Sequence, residues 1–410
     1  MLRQKGGPGM SRLRISPSLP VVVLGFGYGG LGIARSLGRL GVRVYAVDAD
    51  PAAAGLASRY LRGAHTWDIA GASETDTLGF LDDLGRRLGH ALLLPTTDAT
   101  AVLVAEHSDE LAPRFLFPRP PRALVRRLAD KREVFRLATQ FGVPTPLTVF
   151  PASRDDVERF LAEARFPVVV SELRTDRRAI VAGPEALLSR YLEWEDRAAP
   201  NLMLQEHIPG GDDAVWMFNG VFNEWSECVA AFTGRTLRRH LGVCERNERV
   251  ERLSIDFMWA TGYQGVLDVA YRYDARDNLY KLLEPNPRVG ATFRLLVDEQ
   301  GLDVVRVLYC DLTRQPVWPA RVREGRKWLV EDQDLESSLA QMRAGTLTPG
   351  RWLASLAGVE EGAWFARDDL RPFLRVAGRL VAQVARAAGR RVAAALRAAW
   401  PRAPQPRAAH

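Results

Sequence analysis

Cysteine is scarce: three in 410 residues, Cys228, Cys244 and Cys310. None forms a CxxC or a metal-type spacing, which excludes a disulfide framework and leaves buried, inert thiols as the expectation. Long apolar runs are missing too. No stretch of ~18 apolar residues occurs, so no membrane-spanning helix is expected. The cations before Pro20 carry no apolar signal-peptide segment with them, and a reducing cytoplasm is the expected location. Acids are absent from both ends. Residues 1–20 hold Arg3, Lys5, Arg12 and Arg14, and residues 371–410 hold nine arginines. These thirteen charges exceed the whole-chain net charge of +7, so residues 21–370 are left at −6. An acidic body argues against a nucleic-acid-binding core, which would need clustered Lys and Arg on the folded surface.

What is present is ordinary globular composition, 47% hydrophobic and 26% charged, with length for two or three domains. A collagen-like or largely disordered chain is excluded. Val21–Leu24 is an apolar strand followed by Gly25, Gly27 and Gly30 in G-x-G-x-x-G order. A helical pattern (Leu31, Ala34, Leu37, Leu40) and a second strand, Val42–Val47, ending at Asp48, complete a βαβ unit. Two readings stand. The glycines and Asp48 hold a dinucleotide, as in an NAD-dependent oxidoreductase, or the glycines only permit a tight turn and close helix packing. Ala91–Leu94 is a later buried strand, closed by Pro95 to Asp98, and a helix is expected from Ala99 to Leu111.

The middle of the chain has a different pattern. Ala123–Phe141 reads as one uninterrupted helix, stopped by Gly142, Pro144 and Pro146. Strands are expected at 166–170 and 202–205. A hairpin is expected across Asn219-Gly220 and a second across 274–278. Beyond 318, residues 331–342 read as helix. Residues 371–399 read as an amphipathic, wholly basic helix, before a proline-rich end. That helix either packs its Ala/Val/Leu face on the body or docks on an anionic lipid surface, such as the inner membrane face, or on an acidic partner.

Asp268, Glu284 and Asn286 are three oxygen donors. The 284/286 spacing puts two on one strand face, and a hairpin brings Asp268 opposite. Hard oxygen ligands of this kind suit Mg²⁺, which takes the rest of its shell from water and substrate phosphates. Arg288, two further on, can give a bidentate phosphate contact.

Four elements occur in one order: Asp130-Lys131, the Phe166–Val170 strand, Gln205-Glu206-His207-Ile208-Pro209-Gly210, and Glu284-x-Asn286-x-Arg288. Over about 21–317 this order resembles the ATP-grasp superfamily. Phe232–Arg235, Leu241–Glu248 and Gly262–Gly265 look most like its carboxylate–amine ligase group, which includes D-aspartate ligases. The resemblance implies an α/β and α+β fold. Its parts are a flexible basic N-terminus (1–20), a Rossmann-like first domain (21–118), an ATP-grasp domain (119–317) and a basic helical C-terminal extension (318–410).

The resemblance further implies ATP and one or two Mg²⁺ as cofactors. Adenine would lie against Gln205, Glu206, His207 and Ile208, with Asp213 on the ribose and Lys131 on the phosphates. Arg235 and Arg288 would meet the transferred phosphoryl group, joined by Arg238 or Arg239. Asp268, Glu284 and Asn286 would hold the metal. The implied reaction joins a carboxylate to an amine through an acylphosphate; a weakened nucleotide-binding relative is the other outcome. The family pattern has a lysine after the Phe166–Val170 strand. Here Ser171 stands, followed by Glu172, with Arg174 and Arg177 as nearby cations.

Overall fold

The computed structural model describes residues 15–175, 177–196, 200–316, 321–382 and 386. Its first sheet is parallel, with strands in the order Leu61–Thr66, Val44–Asp48, Val21–Leu24, Ala91–Pro95 and Phe115–Leu116. Val21–Leu24 is fully buried between Val44–Asp48 and Ala91–Pro95, which is why it reads as a continuous apolar run.

The glycine turn after it is a packing device. Gly25 sits at φ +88°, and a Cβ there would meet Thr96 Oγ1 at 2.7 Å. A Cβ on Gly30 would lie 2.6 Å from the Gly25 carbonyl oxygen. The Phe26 side chain fills the turn and is buried in the core. The Asp48 carboxylate accepts from Phe26 N at 2.5 Å and Asp50 N at 2.9 Å, so it braces the turn from inside.

A four-stranded antiparallel sheet follows, in the order Thr148–Val149, Leu202–Glu206, Val168–Glu172, Arg178–Val181. Its own small core includes Val168, Val170, Leu202 and Leu204. The third sheet has seven strands, ordered Leu279–Asn286, Gly265–Asp274, Val215–Phe222, Cys228–Arg238, Leu241–Cys244, Lys327–Leu329 and Val359–Gly362. The C-terminal region thus carries helices and also adds two strands to the central sheet.

Buried charge ties the ends of the chain together. Arg294 donates to Asp303 at 2.7 Å and to Glu361 at 2.6 Å, and Arg35 donates to Asp369 at 3.0 Å. Residues 371–382 are helical, with Phe373 set edge-on to Phe365. Leu374 and Val381 are exposed. The rest of the 371–399 stretch, apart from Arg386, lies outside the described residues, as do residues 1–14 and the proline-rich end.

Three local expectations need correction. The helix expected from Ala99 to Leu111 is two, Asp98–Glu106 and Ser108–Leu111, meeting at His107. The helix over 123–141 is two helices, Arg122–Ala129 and Lys131–Gln140. Asp130 has extended backbone, and its carboxylate accepts from Arg132 N and Glu133 N, capping the second helix. Asn219-Gly220 is not a turn. The strand runs through to Phe222, and the chain reverses at 223–227, where the Asn223 side chain accepts from Trp225 N and Glu227 N.

Cys244 and Cys310 are buried, as expected, and Cys228 is half-buried. All three cysteines are free. Burial pushes Cys228 and Cys244 up to about 12 and Cys310 to about 11, which makes them poor nucleophiles.

Candidate active site

A cleft of about 320 Å³ opens between the four-stranded and seven-stranded sheets. Its walls include Lys131, Ser171, Arg178, Gln205, Leu283 and Glu284. Lys131 reaches it because Asp130 starts a new helix there, placing the lysine at the first helical position. Gln205 comes from the strand Leu202–Glu206, and its Nε2 donates to Thr148 Oγ1 at 3.1 Å.

Register builds the adjoining group. Asn219, Asp268 and Asn286 stand opposite one another on three neighbouring antiparallel strands. Opposite residues share a face, so the three side chains form one row. Met217, Ala270 and Glu284 form the next row on that face. A bulge between Ala270 and Tyr271 takes up the extra residue, Leu283. Glu284 is exposed towards the cleft. Asn219 Nδ2 donates to Asp268 Oδ1 at 2.8 Å. Arg288 donates from Nη2 to Asn286 Oδ1 at 3.1 Å and from Nε to Asp98 Oδ1 at 2.6 Å.

Burial pushes the Asp268 carboxyl up to about 6. The Arg288 charge and the Asn219 hydrogen bond oppose the rise, and the charges of Glu284 and Asp98 add to it. The fully buried Asn219 also keeps an Oδ1 with no hydrogen-bond partner. Among the described residues no group of three or more His, Cys, Asp or Glu is placed to hold a metal. The row of Asp268 and Asn286 with Glu284 nonetheless fits Mg²⁺. This ion needs only one or two protein carboxylates, and it would relieve the crowding of negative charge at Asp268.

The 205–208 segment is held from behind. The Glu206 carboxylate meets Arg276 at 2.8 Å and Lys281 at 3.6 Å, and both cations also hold Asp274. The Glu206 N–H donates to Leu147 O at 2.8 Å, so it is committed to the protein. The Ile208 carbonyl accepts from Arg272 Nε at 2.9 Å. His207 Nδ1 is buried without a partner. Burial, then Arg272 and Arg178, lower the His207 pKa, which keeps the ring neutral. Asp213 is exposed on the turn Asp212–Ala214, beside Asp212, whose carboxylate accepts from Arg239 N at 2.8 Å.

Two arginines are not brought to the group. Arg235 stands opposite Trp216, three residues from Asn219, so it lies on the other face of the sheet. Its Nε donates to Glu245 at 2.6 Å. Arg238 is buried, bonded to Asp334, to Ser338 at 2.5 Å and to Ser355 at 3.1 Å. Sequence reasoning missed three supports: Asn219, which holds Asp268; Asp98, which holds Arg288; and Gly290. A Cβ on Gly290 would lie 1.9 Å from Asp268 Oδ2, so only glycine leaves Asp268 its place. Asp98 was visible as a polar residue at a helix start and Asn219 only as half of an expected turn; nothing local pointed to their partners.

A small antiparallel sheet facing a larger one across a cleft, together with a parallel first sheet, is the ATP-grasp fold. Solved structures agree. N5-carboxyaminoimidazole synthetase from Staphylococcus aureus, complexed with ADP, superposes with a TM-score of 0.59 at 10% identity, over 76% of this chain and 81% of that one. The biotin carboxylase domain of Hydrogenobacter thermophilus 2-oxoglutarate carboxylase, with MgADP, gives 0.58 at 14%, over 75% and 72%. No family model matches. Among curated proteins, the chain is 23% identical over 242 residues to a D-aspartate ligase of Enterococcus faecium, 52% of this chain and 57% of that protein. It is 28% identical over 200 residues to a formate-dependent phosphoribosylglycinamide formyltransferase of Corynebacterium jeikeium, 47% and 46%. The chain therefore spans about half the length of the curated relatives it matches.

Proposed function

We propose that this chain is an ATP-dependent ligase that joins a small-molecule carboxylate to an amine. The observation that carries this is the continuity of the Lys131–Gln205–Glu284 cleft with the Asp268–Asn286–Arg288 row. One end suits a nucleotide and the other suits the phosphoryl group it gives up. The similarity to a D-aspartate ligase supports the reaction class.

In the first step a substrate carboxylate oxygen attacks the γ-phosphorus. The bond to the ADP oxygen breaks and an acylphosphate forms. In the second step the amine nitrogen attacks the acyl carbon, phosphate leaves, and the nitrogen sheds a proton to solvent. No protein nucleophile is required, so the protein's part is positioning and charge neutralisation. Lys131 meets the nucleotide phosphates. The 205–208 segment, locked by the Glu206 ion pairs, borders the base. Arg288, oriented by Asp98 and Asn286, neutralises charge on the transferring group. Mg²⁺, held by Asp268, Glu284 and Asn286, would supply further neutralisation of the phosphates. Among the described residues no helix is long and apolar enough to cross a membrane.

The test is ADP release with Mg²⁺ across a panel of carboxylates and amines. Amine-dependent ADP release, abolished by Glu284→Gln, is expected. ATP-dependent thermal stabilisation without ADP release from any pair would replace the ligase with a non-catalytic nucleotide binder.

A further inference from the structure

A polyphosphate cleft needs cations, and the strand that ends in Ser171 and Glu172 supplies none. Ser171 is buried. The Glu172 carboxylate is turned to two donors, Thr175 Oγ1 at 2.7 Å and Asn201 Nδ2 at 3.2 Å. Three arginines follow closely. Arg174 pairs with Asp196 at 3.2 Å. Arg177 stacks its guanidinium over Trp194, 4.5 Å from the ring centroid, and sits 3.8 Å from Glu193. Arg177 also borders the cleft, but both guanidiniums are engaged by other side chains.

Arg178 differs. It begins the neighbouring strand, directly opposite Ser171 in an antiparallel pair. Opposite residues share a face, with Cβ atoms about 5 Å apart. Arg178 lines the same cleft as Lys131, Gln205 and Glu284. Among the described residues its guanidinium makes no ion pair or side-chain hydrogen bond, and the same is true of the Lys131 ammonium.

We propose that Arg178 is a second phosphate-binding cation of this cleft beside Lys131, standing across the strand pair from the position that Ser171 leaves neutral. The proposal rests on the reading of the cleft as an ATP site. Its chemistry is specific. A guanidinium offers a planar fork to two phosphate oxygens, where a serine hydroxyl offers one neutral donor. Together Lys131 and Arg178 bring charge to the phosphates from two elements, a helix start and a strand.

The experiment is calorimetric titration of the full chain with adenosine, ADP and MgATP. The variants are Arg178→Gln, Ser171→Lys and the double variant. Arg178 is exposed, so its loss leaves the fold intact. Arg178→Gln is expected to weaken ADP and MgATP by about 10- to 100-fold, the range for a charge-assisted bond, with adenosine unchanged. Adding Ser171→Lys to that variant restores most of the loss, because the new ammonium enters the same face. ADP and MgATP affinities of Arg178→Gln within about twofold of wild type overturn the proposal and leave the ATP reading standing. An equal loss for adenosine also overturns it, since the phosphates would not be the partner. Wild-type chain that binds neither adenosine nor MgATP overturns the ATP reading and the proposal with it.

Discussion

Gly290→Ala should disable the proposed metal-binding end of the site through one methyl group. The added Cβ would lie 1.9 Å from Asp268 Oδ2, 2.3 Å from Cγ and 2.7 Å from Cβ. All three atoms are too close, so rotating the carboxylate does not solve the clash. The Asp268 side chain must retreat by roughly 1.5 Å to reach ordinary contact distance. That movement strains the 2.8 Å bond from Asn219 and the register partnership with Asn286. Overpacking of this kind costs about 1–3 kcal/mol, so the fold survives. The larger effect is on Mg²⁺, since displacing one ligand or its support typically costs about 10- to 100-fold in metal affinity. The assay is MgATP binding across a Mg²⁺ series, with thermal unfolding as the control. The variant should need about 10- to 100-fold more Mg²⁺ for half-maximal binding. An unchanged Mg²⁺ midpoint in a folded variant would refute the placement of Asp268 as a ligand.

Further outcomes follow from the same geometry. Arg294→Met leaves Asp303 and Glu361 facing each other without their shared cation and should cost about 3–5 kcal/mol in denaturant unfolding; an unchanged midpoint would show that Arg326 and Arg306 already suffice. Hydrogen bonds from Arg276, then Lys281, hold the Asp274 carboxyl well below the usual carboxylate range. Because this pKa is depressed on folding, the stabilisation is fully present above the unfolded value of ~3.9 and fades as pH falls through the folded one. Thermal melts from pH 6 to pH 2 should therefore show an acid limb that is shallower in Asp274→Asn. Asp48→Ala should loosen the glycine turn, lowering the melting temperature without any change in NADH fluorescence; tight NADH binding by wild type that this variant abolishes would restore the dinucleotide reading.

The βαβ opening was legible because a buried parallel strand is apolar on both faces and glycine punctuates the turn after it. The 284/286 spacing was legible because a strand alternates faces every two residues. The hairpin before it was not. Placing its turn at Asn219-Gly220 moves the reversal by several residues, and each single-residue slip sends a side chain to the opposite face. That error hid Asn219 as the partner of Asp268; the phosphate role of Arg235 came instead from the family resemblance, and the strand register sets it on the other face. The true turn rests on an Asn223 side chain that bonds its own backbone, a weaker local signal than Asn-Gly. The split at Asp130 was missed for a related reason. An Asp inside an apolar periodicity looks like a solvated helix residue until its carboxylate is seen to cap the next turn.

The amino-acid sequence by itself determined the local parts of this protein: the glycine turn, the metal-type spacing of Glu284 and Asn286, the segment from Gln205 to Ile208, and charge gathered at the two ends of the chain. These follow from periodicities of two and 3.6 residues and from turn chemistry, which neighbouring residues settle among themselves. Only the tertiary structure decided which distant residues meet. Asp98 holds Arg288 across 190 positions, Asn219 meets Asp268, and Arg238 is drawn away to Asp334. Arg178 faces the cleft where Ser171 has no charge. Such pairings depend on strand register and on the packing of one sheet against another, and neither is encoded in any single stretch of chain.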